Sequence, residues 1–179
     1  MNQEVELLRL QDSWRECERH IHHLFYSVQS LQILFPLTSE TYQSLNDEQI
    51  QDIDQFIFRF TKLQDAIGIR LFPAVLSYLE EPFENRPMID KLNRLEKLGY
   101  IERAEEWHHL RSLRNQLAHE YGENEDKNAE VLNLAFSFSI RLYEILDRVS
   151  QMLIYQDSNL NLGHPLSPLP SYLVNNPES

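Results

Sequence analysis

Apolar residues along the chain return at alternating steps of three and four, the spacing that lays one stripe along an α-helix. Leu7, Leu10, Trp14, Cys17, Ile21, Leu24, Val28, Leu31 and Phe35 form the first stripe, and Pro36 stops it. Beyond a polar stretch, Asn46 and Gln49 stand at capping-box spacing, with Asp47 and Glu48 suited to the positive end of a helix dipole. Ile50, Ile53, Ile57, Phe60, Leu63 and Ile67 carry the second stripe, which Pro73 is expected to kink or end. Pro82 and Pro87 mark a connection. Ile89, Leu92, Leu95 and Leu98 predict a short third helix closed by Gly99, which can take a left-handed cap. A fourth is predicted from about Glu102 to Tyr121, closed by Gly122.

The fifth helix is the most apolar and carries two seams. Val131, Ala135, Phe138, Leu142, Ile145, Val149 and Met152 form one; Leu132, Phe136, Tyr143, Leu146 and Leu153 form the other. Such a helix is either the centre of a bundle surrounded by its own chain or one face of a two-fold dimer. From about Gln156 onward Asn, Ser and Pro dominate. The expected organisation is therefore a helical domain over residues 1–155 and an extended or disordered tail over 156–179.

Composition narrows this reading. A chain of 179 residues suits one domain, and only four glycines leave little for tight hairpins or phosphate loops, so an all-α fold is expected. Sixteen Lys and Arg against 28 Asp and Glu give a net charge of −12, which argues against gripping nucleic acid over the whole surface but allows a local basic site. Cys17 is the one cysteine, so an internal disulfide, a CxxC redox pair and a Cys-based zinc site are excluded. The acidic, polar start and the lack of a long apolar run point away from secretion and membrane insertion and toward the cytoplasm. His20, His22 and His23 resemble metal ligands by composition, but a solvated helix face accounts for them.

Residues 107–121 carry the candidate chemistry. On a helical wheel at about 100° per residue, Leu110, Leu113 and Leu117 define the core side, and His108, Asn115 and His119 point away from it. Asn115 and His119 are neighbours on the helix, so the amide can hydrogen-bond the imidazole and fix its tautomer. Arg114 lies at the edge. It and His119 do not converge on one atom within a regular helix, and a second chain can supply the missing half.

The string Arg114-Asn115-Gln116-Leu117-Ala118-His119-Glu120-Tyr121 resembles the Arg, four residues, His, one residue, Tyr motif of the HepT toxins, a branch of the HEPN superfamily. The resemblance covers about residues 3–155 and implies a HEPN-like up-and-down bundle of about five helices acting as a homodimer. It implies a metal-independent endoribonuclease with no cofactor, its two motifs facing each other across a cleft. It also implies a partner, a minimal nucleotidyltransferase antitoxin that transfers AMP to Tyr121.

The chemistry suits these residue types. RNA carries its own nucleophile, the 2′-hydroxyl, so cleavage needs proton transfer and stabilisation of a crowded, anionic phosphorus centre. His119 is the candidate acid/base, Arg114 the candidate phosphate-stabilising group and Asn115 the residue that orients His119. His108 and Arg111 are candidates for RNA or cleft contacts. Arg59, Lys62 and Arg70 are candidates to guide RNA, or to pair locally with the interleaved Asp54 and Asp65. The expected product is a 2′,3′-cyclic phosphate, and DNA, lacking the nucleophile, should be spared. Two rival readings are a noncatalytic HEPN subunit that binds substrate for a nucleotidyltransferase, and a purely structural dimeric bundle.

Overall fold

The first stripe folds as α1 (Gln3–Leu31). Its Leu10, Trp14, Cys17, Ile21, Leu24, Val28 and Leu31 are at most 1% exposed, each large apolar side chain among them contributing about 1.5–3 kcal/mol of burial. The computed structural model describes residues 3–118 and 124–174. Among these, all regular structure is helical, as the scarcity of glycine suggests. No helix among them is long and apolar enough to cross a membrane.

A short helix, α2 (Ser39–Gln43), leads to α3 (Asp47–Asp65). The capping box is formed: the Gln49 N–H donates to Asn46 Oδ1 at 2.9 Å, and the Asn46 N–H donates to Gln49 Oε1 at 3.0 Å. α3 runs back along α1, with Phe56 against Phe35 and Arg59 against His20. Pro73 does not end this helix. The backbone widens into a π-helical segment (Ala66–Leu71) and continues directly as α4 (Phe72–Tyr78). Within the wide turn the Phe72 N–H bonds the Ile67 carbonyl, five residues back. An inserted residue of this kind reshapes the turn in which Pro73, lacking an N–H and carrying a ring, would otherwise meet a regular ladder.

α5 (Met88–Lys97) closes as expected at Gly99, whose φ is 84°. The Gly99 N–H bonds Glu96 O and the Tyr100 N–H bonds Leu95 O, a Schellman closure. α6 (Ala104–Ala118) and α7 (Glu125–Gln156) follow. The expected fourth helix reaches Tyr121; the stretch from His119 through Gly122 lies outside the described residues.

Both seams of α7 are buried in or packed on the core of this chain, as the bundle-centre explanation of that helix expects. Phe136 stacks on Phe35 with ring centroids 4.2 Å apart, Tyr143 meets Phe25, and Met152 reaches Gly99. α7 packs against α1, α2, α3 and α6. The two seams therefore give no support to a dimer.

The tail is extended over its described part. It runs parallel to α1, with Gln11 Nε2 donating to Asn161 O at 2.6 Å, Trp14 Nε1 to His164 O at 2.7 Å, Ser167 Oγ to Glu18 Oε1 at 3.2 Å and Tyr172 Oη to Phe25 O at 2.6 Å. Leu162 is buried, and Leu166 and Leu169 pack on the core. One more short helix, α8 (Ser171–Val174), ends the described part. A Pro-rich sequence cannot build its own hydrogen-bond ladder, so this segment borrows partners from α1.

Candidate functional site

α6 begins where the Ala104 N–H donates to Glu96 Oε2 at 2.6 Å, with Glu105 and Glu106 in the first turn. Trp107, Leu110, Leu113 and Leu117 are at most 4% exposed and fix the rotation of the helix. His108, Arg111 and Asn115 are exposed on the other side, as the helical wheel predicts. His119 and Tyr121 lie outside the described residues.

Arg114 sits half-buried at the border and reaches across to α3. Its Nε donates to Asp65 Oδ1 at 2.9 Å and its Nη2 to Asp65 Oδ2 at 2.7 Å. Two parallel bonds from the planar fork fix its orientation. The hydrogen bonding to Asp65, more than any other influence, raises the Arg114 pKa, so the group is a permanent cation. Its remaining nitrogen, Nη1, lies 3.4 Å from Asn115 Oδ1. The Asn115 amide thus adjoins Arg114, and in the sequence it stands four residues before His119.

Asp65 is the residue that sequence reasoning set in the wrong company. The sequence offers it local cations of its own helix as one of two alternatives, and it pairs with Arg114 of α6 instead. Arg70 does find a carboxylate, Glu16 of α1, and not one on its own helix.

The close approach of α3 and α6 depends on Gly68. A Cβ at that position would stand 2.7 Å from Trp107 Cζ2, closer than side chains tolerate. The Trp107 ring lies over the π segment and edge-on to Phe72, at 4.8 Å between centroids. The available sequence signal was Gly68 five residues before Pro73 inside a helical run: two helix-weakening residues at the spacing of one wide turn.

Beside this contact is an open cleft of about 320 Å³, lined in part by Asp65, Gly68, Trp107, Arg111, Arg114 and Asn115. His108 lies on the exposed face of α6 and is not part of that lining. Arg111 has no carboxylate partner among the described residues, so the cleft carries one braced guanidinium and one free one. Such a pair suits a phosphate or another oxyanion.

The remaining candidates are dispersed. His22 and His23 are exposed on α1, and His20 is mostly covered. Among the described residues no group of three His, Cys, Asp or Glu gathers as a metal ion would require. Burial pushes the Cys17 thiol well above its ordinary pKa, so it is inert as a nucleophile. In comparisons with family models, with curated proteins and with solved structures, nothing matches this chain.

Proposed function

We propose that this protein is the toxin of a HEPN/nucleotidyltransferase toxin–antitoxin pair, a metal-independent endoribonuclease acting as a homodimer. The observation that carries the reading is Arg114, oriented bidentately by Asp65 on an open cleft with Arg111 and Asn115, and followed at motif spacing by His119 and Tyr121. In each turnover the 2′-oxygen of RNA bonds to phosphorus and the bond to the 5′-oxygen breaks. His119 moves the proton, and Arg114 stabilises the extra negative charge on the phosphorus oxygens. The products are a 2′,3′-cyclic phosphate and a 5′-hydroxyl. A homodimer supplies the second Arg114 and His119 that one helix cannot bring to the same atom. The apolar rim of the cleft offers a contact for it: Ile69 lines it and is 68% exposed, and Ile89, beside the lining Met88, is 43% exposed.

The antitoxin transfers AMP to Tyr121, placing charge and bulk beside the RNA phosphate and blocking entry. Three measurements test the reading. Purified protein incubated with RNA in EDTA should cleave it, Arg114→Ala and His119→Ala should not, and mass analysis after mixing with antitoxin and ATP should show AMP that Tyr121→Phe does not accept. Cleavage undiminished in either alanine variant would sink the catalytic assignment.

A second reading has one observation in its favour. Asp65 already neutralises Arg114 and occupies two of its nitrogens, as a purely structural brace would. On that reading the chain is a noncatalytic HEPN subunit of a nucleotidyltransferase, and RNA survives incubation intact.

A further inference from the structure

The acidic surplus of this chain is not spread evenly. Seven arginines, at positions 9, 15, 70, 94, 114, 141 and 148, each have a carboxylate partner within salt-bridge distance. Arg19 of α1 and Arg59 and Lys62 of α3 have none among the described residues, although they lie on adjoining helices. Arg59 Nη1 stands 3.2 Å from His20 Nδ1, and its Nε is buried without a partner. His23 lies beside them, its pKa lowered by burial, then by Arg59, His22 and Arg19. Burial comes first among these causes, and Arg59, His22 and Arg19 add positive charge nearby on a chain whose net charge is −12.

An aromatic ring stands among these cations. Phe58 is 48% exposed, with the Arg59 guanidinium 5.3 Å and the Lys62 ammonium 5.7 Å from its centroid. Phe58, Lys62 and Asp65 follow one another at helical spacing, so the strip runs along α3 to the residue that holds Arg114. Lys62 is about 4.5 Å from Asp65 along the helix axis. Asp54, one turn before Phe58, closes the other end with negative charge.

We propose that Arg19 and His23 of α1, with Phe58, Arg59 and Lys62 of α3, form a binding strip for single-stranded RNA that leads into the Arg114 cleft. Cations take the phosphates in turn and the ring takes a base, the combination by which single strands are held with little regard to sequence. A narrow strip fits one strand; a duplex or an anionic bilayer would bring the surrounding acidic surface into contact as well. The strip adds to the Arg111–Arg114 cleft a second local basic site on an acidic chain, and in that respect it rests on the ribonuclease reading.

The test uses the full chain and a labelled single-stranded oligonucleotide with 2′-O-methyl groups, which binds but has no nucleophile. Arg19→Gln with Lys62→Gln should lower the slope of log affinity against log salt by about 1.4, roughly 0.7 for each cation lost. Phe58→Ala should weaken binding about tenfold at fixed salt, Asp54→Asn should strengthen it, and Lys97→Gln, which removes one positive charge from α5, should leave it unaltered. No binding by the parent at low salt, unchanged binding by the strip variants, or an equal loss in Lys97→Gln overturns the strip. Displacement of the oligonucleotide by polyglutamate at equal charge overturns it too and reassigns the surface to an acidic protein. Strip-dependent binding without cleavage of natural RNA would keep the strip and remove the nuclease; cleavage undiminished in the strip variants would do the reverse.

Discussion

Arg94 and Arg114 are held in nearly the same way. Arg94 of α5 donates through Nε and Nη2 to Glu81 at 2.9 and 2.6 Å, and Arg114 of α6 donates through the same nitrogens to Asp65 at 2.9 and 2.7 Å. Both arginine side chains are 28% exposed. The surroundings differ. Glu81 follows directly on Glu80 and precedes Glu84, whose carbonyl receives Lys91, so Arg94 ties α5 to the loop after α4 in an acidic neighbourhood. Arg114 borders a cleft with an exposed amide and a second arginine that has no carboxylate partner among the described residues. Bidentate geometry alone therefore does not separate a brace from an anion-binding group; the company around the third nitrogen does.

The largest effect should come from substituting the two arginines in parallel. Arg114→Ala should lower the rate of RNA cleavage about 100-fold or more, and Arg94→Ala should leave it within about twofold, since its group is remote from the charge that develops. Equal losses in initial rate would mean that both pairs serve stability alone. In melting experiments the two variants should look alike, each losing about 1–3 kcal/mol because a half-buried carboxylate is left without its partner. Asp65→Asn sharpens the contrast further. If Asp65 positions Arg114, kcat falls while KM holds, and Asp65→Glu restores part of the rate; a rise in RNA affinity with unchanged kcat would instead mark Asp65 as a competitor of the phosphate.

Gly68→Ala should cost about 1–3 kcal/mol, because the added methyl drives into Trp107 and the core is already filled. It should also reduce cleavage, since it moves α6 relative to α3, and leave the Arg94–Glu81 region unaffected by amide exchange. Gly163→Ala is the control, with φ of 85° and nothing within 4 Å: a loss of about 1 kcal/mol from backbone strain and no change in cleavage.

The smallest effect concerns His20, which faces Arg59, Glu16, Arg19 and Lys62. Burial first, then Arg59, lowers its folded pKa. The unfolded chain takes up the proton first, so this contribution is fully present above about pH 6.5 and is lost as pH falls toward the folded value. The melting temperature of His20→Gln should fall less than that of the parent between pH 7.5 and pH 5.5; parallel curves would refute the linkage.

Legibility in the sequence followed the range of the interaction. The Asn46 capping box, the Gly99 closure and the buried face of α6 are local, and neighbouring side chains along the chain specify them. By the same local logic Pro73 kinks or ends the helix; the helix does not end there, because a wide turn accommodates it, and the Trp107 ring that rests on that turn comes from elsewhere in the chain. Likewise the two seams of α7 were visible, but nothing along the chain tells a helix whether its own tail or a second molecule covers it.

The amino-acid order by itself thus determined α1, α3, α5, α6 and α7, though not the short α2 and α8, together with the exposed face of α6 and the string from Arg114 to Tyr121, since periodicity and capping act within a few residues. Tertiary structure alone decided that Asp65 grips Arg114, that Gly68 admits Trp107, and that Arg59 of α3 meets His20 of α1. These partners lie far apart in the chain, and each had several chemically equivalent choices. Close packing of the helices selects one of them.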